Sequence, residues 1–221
     1  MNKYKAVIFD LDGTLLDTID DLGDSMNHVL SLYGIAPFTK KDYFLFVGDG
    51  VDALVERVLT HSNQSLEIKT KVKELYMQEY AKKQRNKTTP YQGIPELLDA
   101  LLQEKVLINV LSNKPDKDTI SVISAFFKEV PFTYIYGKKD HYLPKPDAKL
   151  LEEMIRLLHL PKSEILYVGD TSTDILTAKR AGLSSVGCLW GFRDEEELKN
   201  AQATFIVKHP LEILSIVKEG I

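Results

Sequence analysis

An α/β architecture, a mostly parallel sheet flanked by helices and interrupted by an all-α insert, is predicted by three observations on this sequence. Short β-branched or aromatic runs alternate with stretches whose apolar residues recur every three or four positions. Several of the runs end abruptly in polar or acidic residues, as strands do where a parallel sheet offers its carboxyl edge to a ligand. Residues 17–87 break the rhythm, with helical periodicity and no convincing strand.

The first element is Ala6–Phe9, an apolar strand running into Asp10 and Asp12. Strands follow at 107–111, 134–136, 165–168, 185–188 and 204–207, and helices at 95–103, 117–127, 148–158, 173–181 and 211–217. Strand then helix, repeated, implies right-handed crossovers and a sheet covered on both faces. Within the insert, Leu22, Met26, Val29, Leu30 and Tyr33 form one helical stripe. Val51, Leu54, Val55, Val58 and Leu59 form a second, and Val72, Leu75, Tyr76 and Tyr80 a third. The insert leaves through 15–17 and returns through 87–93, where Pro90 and Gly93 punctuate the chain. Two linkers side by side make a hinge, so the expected organisation is an α/β core of 1–16 and 88–221 with a helical cap, 17–87, that closes over the strand ends.

A chain of 221 residues with 44% hydrophobic residues can fill a complete core. A net charge of −4 with no basic stripe argues against a nucleic-acid partner, and the lysine-rich segment 69–87 reads as the solvated face of a helix. The single cysteine, Cys188, lies in a strand and reads as a buried, inert thiol, in keeping with a reducing cytoplasm. The apolar run after Lys5 is too short for a signal peptide, and no segment approaches the ~20 residues of a membrane span. A cytoplasmic protein with no membrane partner, monomeric or homodimeric, is expected. The five histidines are scattered without metal-ligand spacing.

Two carboxylates at the end of a buried strand need compensation, because an unpaired buried charge costs several kcal/mol. Residues two apart on an extended segment share a side, so Asp10 and Asp12 can converge on one ligand. Hard oxygen ligands without thiolates or clustered histidines point to Mg²⁺. Ser112 and Asp170 also fall directly after apolar strands. Taken singly, Asp12-Gly13 reads as a turn and Asp170 or Thr173 as a helix N-cap, but caps do not explain carboxylates at both the first and a later strand end. The Trp190-Gly191-Phe192-Arg193 segment follows a strand and could place Arg193 or the aromatics near the cleft, but a solvent-facing loop is the better reading.

Asp10-Leu11-Asp12-Gly13-Thr14-Leu15-Leu16-Asp17-Thr18 resembles the first motif of the haloacid dehalogenase superfamily. Leu111-Ser112-Asn113-Lys114-Pro115 resembles the second, Lys145-Pro146 the third, and Val168-Gly169-Asp170-Thr171-Ser172-Thr173-Asp174 the fourth. The order is right and covers nearly the whole chain. The resemblance implies a Rossmann-like core, a helical cap inserted after the first motif, and phosphoryl transfer to a small phosphorylated metabolite. It implies Asp10 as nucleophile, forming an aspartyl phosphate, and Asp12 as acid and then base, its pKa pushed upward by neighbouring Asp10. Mg²⁺ would be held by Asp10, the Asp12 carbonyl and Asp170, with Asp174 orienting Asp170. Ser112, Asn113 and Lys145 would hold the phosphoryl group.

Asp12 argues against carbon–halogen cleavage, which needs no acid at the leaving group. The Gly48-Asp49-Gly50 loop resembles a substrate loop of phosphoglycolate phosphatase-like members, although a plain Asp-Gly turn reads nearly as well. Thr14, Ser112-Asn113-Lys114-Pro115-Asp116 and this loop are most similar to phosphoglycolate phosphatases and their pyrophosphatase relatives, and that resemblance implies a Mg²⁺-dependent phosphatase of a small phosphomonoester, with 2-phosphoglycolate the expected substrate. Alternatives are an inorganic pyrophosphatase, a β-phosphoglucomutase-like sugar phosphomutase and, last, a noncatalytic phosphometabolite binder.

Overall fold

In a computed structural model describing residues 2–220, the apolar run Ala6–Phe9 (β1) is buried on both faces, as a central parallel strand must be. The hairpin-like linker strands Leu16–Asp17 (β2) and Thr89–Pro90 (β3) are followed by Leu107–Pro115 (β4), Tyr134–Lys138 (β5), Ile165–Gly169 (β6), Ser184–Cys188 (β7) and Phe205–Val207 (β8). The main sheet has the order β5-β4-β1-β6-β7-β8, with every pair parallel. The order reverses at β1, between β4 and β6, which is where a crevice opens beyond the strand ends.

The strand period of two sorts β1 between two cores. Val7 and Phe9 pack with Leu97, Leu98 and Leu101 of Ile94–Gln103 and with Ile213 and Val217 of Glu212–Glu219. Ala6 and Ile8 pack on the other face with Leu151 and Met154 of Lys149–Leu158 and Ala178 of Ser172–Ala181. The described helices are α1 (Ile19–Ser31), α2 (Lys40–Phe46), α3 (Val51–His61), α4 (Lys69–Lys83), α5 (Ile94–Gln103), α6 (Asp116–Phe126), α7 (Lys149–Leu158), α8 (Ser172–Ala181), α9 (Glu195–Asn200) and α10 (Glu212–Glu219).

Helices α1 to α4 bury an apolar cluster of their own, built from Met26, Tyr43, Phe46, Val55, Val58 and Val72, joined by Phe192 from beyond β7. The two linkers pair antiparallel, Leu16 opposite Pro90 and Asp17 opposite Thr89. Asp21 pins them: its carboxylate accepts from the Lys87 and Thr88 backbone N–H groups at 2.9–3.0 Å and from the Thr88 hydroxyl at 2.7 Å.

Four expectations need correction. The 17–87 stretch holds four helices rather than three patterns, and its first residue sits in a short strand. Helix α2 has seven residues, too few for a periodic signal, and is fixed by a capping box between Thr39 and Asp42. Strand β4 continues through Ser112 to Pro115, with an irregular register against β5 between Leu111 and Pro115. Helix α8 is capped by Thr171 with Asp174 as its reciprocal partner, not by Asp170 or Thr173.

Leu98 is fully buried between α5 and the sheet. Leu98→Ala should cost about 2–5 kcal/mol. Urea unfolding should show a lower midpoint with an unchanged m-value.

Candidate active site

Strand β1 ends at Phe9 and β6 at Gly169, delivering Asp10 and Asp170 side by side at the carboxyl edge of the sheet. Helix α8 begins at Ser172 and adds Asp174 from its first turn. One carboxylate oxygen from each of these three buried residues lies within 4.8 Å of the others. A single ammonium enters from behind: Lys145 Nζ donates to Asp10 at 2.8 Å and to Asp174 at 2.6 Å, with its side chain 4% exposed. Asn113 holds that lysine, its Oδ1 accepting from Lys145 N at 2.7 Å and its Nδ2 donating to Lys145 O at 3.2 Å.

Asp170 is bonded by the Thr14 hydroxyl at 2.9 Å and the Phe192 N–H at 2.8 Å. Gly13 and Gly191 pack so closely on this carboxylate that a Cβ at either position would overlap it. Asp174 Oδ2 accepts from Thr171 N and Oγ1, so the helix cap also fixes the third acid.

Three acids share one base, and the electrostatics follow. Burial, then the charges of Asp174 and Asp170, push the Asp10 pKa well above the usual carboxylate range despite Lys145. Burial, then Asp174, pushes Asp170 up to about 7, against the hydrogen bonds from Phe192 and Thr14. Burial works against a charged Lys145, but Asp10 and Asp174 outweigh it and hold its pKa well above the usual lysine range. A buried acid cluster with too little positive charge is a fitting receptor for a hard divalent cation.

Asp12 points elsewhere. Both its oxygens accept from Lys114 Nζ at 3.0 Å, and the same ammonium donates to Tyr80 Oη, from α4, at 2.8 Å. Asp12 thus has a buried lysine of its own as partner. Lys114 and Tyr80 carried no separate signal in the sequence: one lies inside the second motif, the other in an apolar helical stripe.

A cavity of about 70 Å³ opens above Asp10, Asp12, Ser112 and Asn113, roofed by residues of α1, α3 and α4 such as Leu22, Leu54 and Tyr80. Gly48 and Gly50 line it, whereas the Asp49 side chain bonds Arg57 and Thr173. Burial opposes the Asp49 charge, but bonds from Thr173 and Arg57 hold its pKa below the usual range. Asn113 Nδ2 also donates to Gly48 O at 3.1 Å.

The 190–193 segment is not a solvent-facing loop. Phe192 is 6% exposed and joins the helical insert's core. Arg193 bonds the carbonyls of Phe44 and Val47, and Trp190 Nε1 donates to Thr14 O at 3.0 Å. Arg193 also pairs with Glu197 at 3.0 Å, but the carbonyls bound by Arg193 and Trp190 lie about 150 residues or more away in sequence, beyond any local pattern.

The family model for haloacid dehalogenase-like hydrolases matches residues 7–188. The chain belongs to that family. A phosphoglycolate phosphatase of Mesorhizobium japonicum is 31% identical over 92% of this chain and 90% of its own length. One of Vibrio parahaemolyticus is 28% identical over 96% of each. A crystal structure from Lactobacillus delbrueckii subsp. bulgaricus superposes with a TM-score of 0.92 at 30% identity, covering 98% of this chain and 99% of that one. This member of the haloacid dehalogenase-like family is an enzyme of the phosphatase type. No described helix is long and apolar enough to cross a membrane.

The raised carboxyl pKa values set a pH signature. Between the ordinary Asp value near 4 and the folded value of about 7 for Asp170, the folded state binds more protons than the unfolded one. Without a divalent cation, this cluster should make stability fall as pH rises across that window. Mg²⁺ should raise Tm more at pH 7.5 than at pH 5, and scanning calorimetry at the two pH values checks both statements.

Proposed function

We propose that the enzyme is a Mg²⁺-dependent phosphatase of a small phosphomonoester, with 2-phosphoglycolate as its substrate, acting through an aspartyl phosphate on Asp10. The supporting observation is the buried cluster of Asp10, Asp170 and Asp174 around Lys145, directly below a small cavity that Asp10 lines. When bound by the Asp10 and Asp170 carboxylates and the Asp12 carbonyl, Mg²⁺ would offset their negative charge and that of the phosphoryl oxygens. Asp174, shared between Lys145 and the helix cap, would hold the Lys145 ammonium beside Asp10.

In this reading Asp10 attacks phosphorus in line, and Lys145 and Ser112 hold the phosphoryl oxygens with an ammonium and a hydroxyl. Asn113 keeps Lys145 in place through its backbone. Asp12 gives its proton to the leaving oxygen, then takes one from the water that attacks phosphorus and frees Asp10. Residues 17–87 act as the cap: they carry their own apolar core, hang on the β2–β3 ribbon and roof the cavity, excluding water from the reacting groups. The relatives that share most of the chain's length are named phosphoglycolate phosphatases, which favours that substrate. The roof is apolar at Leu22, Leu54 and Met77, with the Tyr80 hydroxyl as a polar exception. The single buried thiol of Cys188 suits a cytoplasmic setting.

Phosphate release is to be measured with and without Mg²⁺ on 2-phosphoglycolate, pyrophosphate, β-glucose 1-phosphate and p-nitrophenyl phosphate. Activity should require Mg²⁺ and be highest on 2-phosphoglycolate. Asp10→Asn should lower kcat by at least about 10⁴-fold, as loss of a nucleophile does. Release that persists in the Asp10→Asn protein would refute the reading.

A further inference from the structure

We infer that Lys114, assisted by the Tyr80 hydroxyl, is the specificity-determining residue of the site and selects phosphoesters whose leaving group carries an anion close to the ester oxygen. The inference rests on the phosphatase reading above and names the substrate class through one side chain.

The geometry follows from Asp12. A proton donor to the leaving oxygen must stand within about 2.6–3.2 Å of it. Lys114 Nζ lies 3.0 Å from both Asp12 oxygens, so whatever is attached to the leaving oxygen meets that ammonium within a bond or two. Lys114 is the one cation among the described residues that line the cavity, and its side chain is 3% exposed. Such a charge is held only by partners of its own, here Asp12 and Tyr80.

Tyr80 completes the receptor. Its oxygen accepts from Lys114 at 2.8 Å, and its own proton has no acceptor among the described residues. Burial, then the nearby Asp12, keeps the phenol protonated, so it remains a donor. An entering carboxylate would therefore find an ammonium and an O–H on one side of a cavity whose other walls are Leu22, Val51 and Leu54. Asp10, Asp12 and Asp118 are the acids that line the cavity: the first is paired with Lys145, the second with Lys114, and the third is only partly buried. A neutral alcohol in the same place would gain none of the charge-assisted bonding.

The test compares two near-isosteric esters, 2-phosphoglycolate and 2-hydroxyethyl phosphate, by the ratio of their kcat/KM values. General damage to the placement of Asp12 cancels in that ratio. Wild type should favour the anionic ester by at least about 30-fold, the value of a hydrogen bond to a charged group. Lys114→Met should bring the ratio to within about threefold of unity, while Lys114→Arg, which keeps the charge, should retain most of the preference. Equal losses on both esters in Lys114→Met would overturn the assignment and leave Lys114 as a support for Asp12 alone. A wild-type ratio near unity, with Asp10-dependent release intact, would overturn it while sparing the phosphatase reading. Absence of Asp10-dependent release from every ester would sink both. Should Lys114→Met not fold, inhibition of the wild type decides the matter: glycolate should compete with substrate and ethylene glycol should not, and equal inhibition by the two would count against Lys114.

Discussion

One buried ammonium among three buried carboxylates is the constraint on which the rest of this structure depends. Lys145 touches Asp10 and Asp174, and Asp170 completes the trio without a lysine of its own. Such an arrangement is costly in a low-dielectric interior and persists only where many groups share in holding it. The architecture supplies them: β1 and β6 lie adjacent so that Asp10 and Asp170 emerge together, and α8 starts where its capping residue can also bind Asp174. Thr14, the Phe192 N–H and the close approach of Gly13 and Gly191 leave Asp170 one orientation. The residual negative charge suits the cluster to a divalent cation, and the proposed phosphoryl chemistry depends on that charge being offset.

The helical insert roofs part of the space above that cluster. The end of α2 and the loop that follows it are fastened to the α/β core at several points of different chemistry: Asp49 to Thr173, Gly48 O to Asn113, and the Phe44 and Val47 carbonyls to Arg193. Tyr80 reaches down to Lys114. Most of these contacts are polar, while Phe192 reaches into the insert's apolar core. Polar contacts can be exchanged for water at small net cost, so they suit an interface that opens and closes, whereas the apolar core of α1 to α4 keeps the insert itself rigid.

Much of this was legible in the sequence. The apolar runs at β1 and β6, each ending in aspartate, gave away both the sheet and its ligand edge, because burial on two faces leaves an unbroken hydrophobic signature. The helical stripes of α1, α3 and α4 announced the insert for the same reason. What escaped were features whose burial depends on a distant partner. Lys114 looks like a surface lysine until Tyr80 and Asp12 are beside it, and Arg193 looks like a loop residue until the insert's carbonyls arrive. Helix α2 and helix α9 are too short to show a period and are held by caps instead. Asp174 was legible as a neighbour of Asp170, but its bond to Lys145 comes only from the crossing of two strands' ends.

The central claim, that this crowded cluster makes Asp10 a phosphoryl acceptor, is tested most directly by catching the acceptor in the act. Enzyme mixed with 2-phosphoglycolate and Mg²⁺, quenched in acid within a single turnover and digested, should yield a phosphoryl mass increment on the peptide that contains Asp10. The increment should be absent from the Asp10→Asn protein. An unmodified Asp10 peptide at every quench time while phosphate is being released, or an increment on any other side chain, would contradict the account.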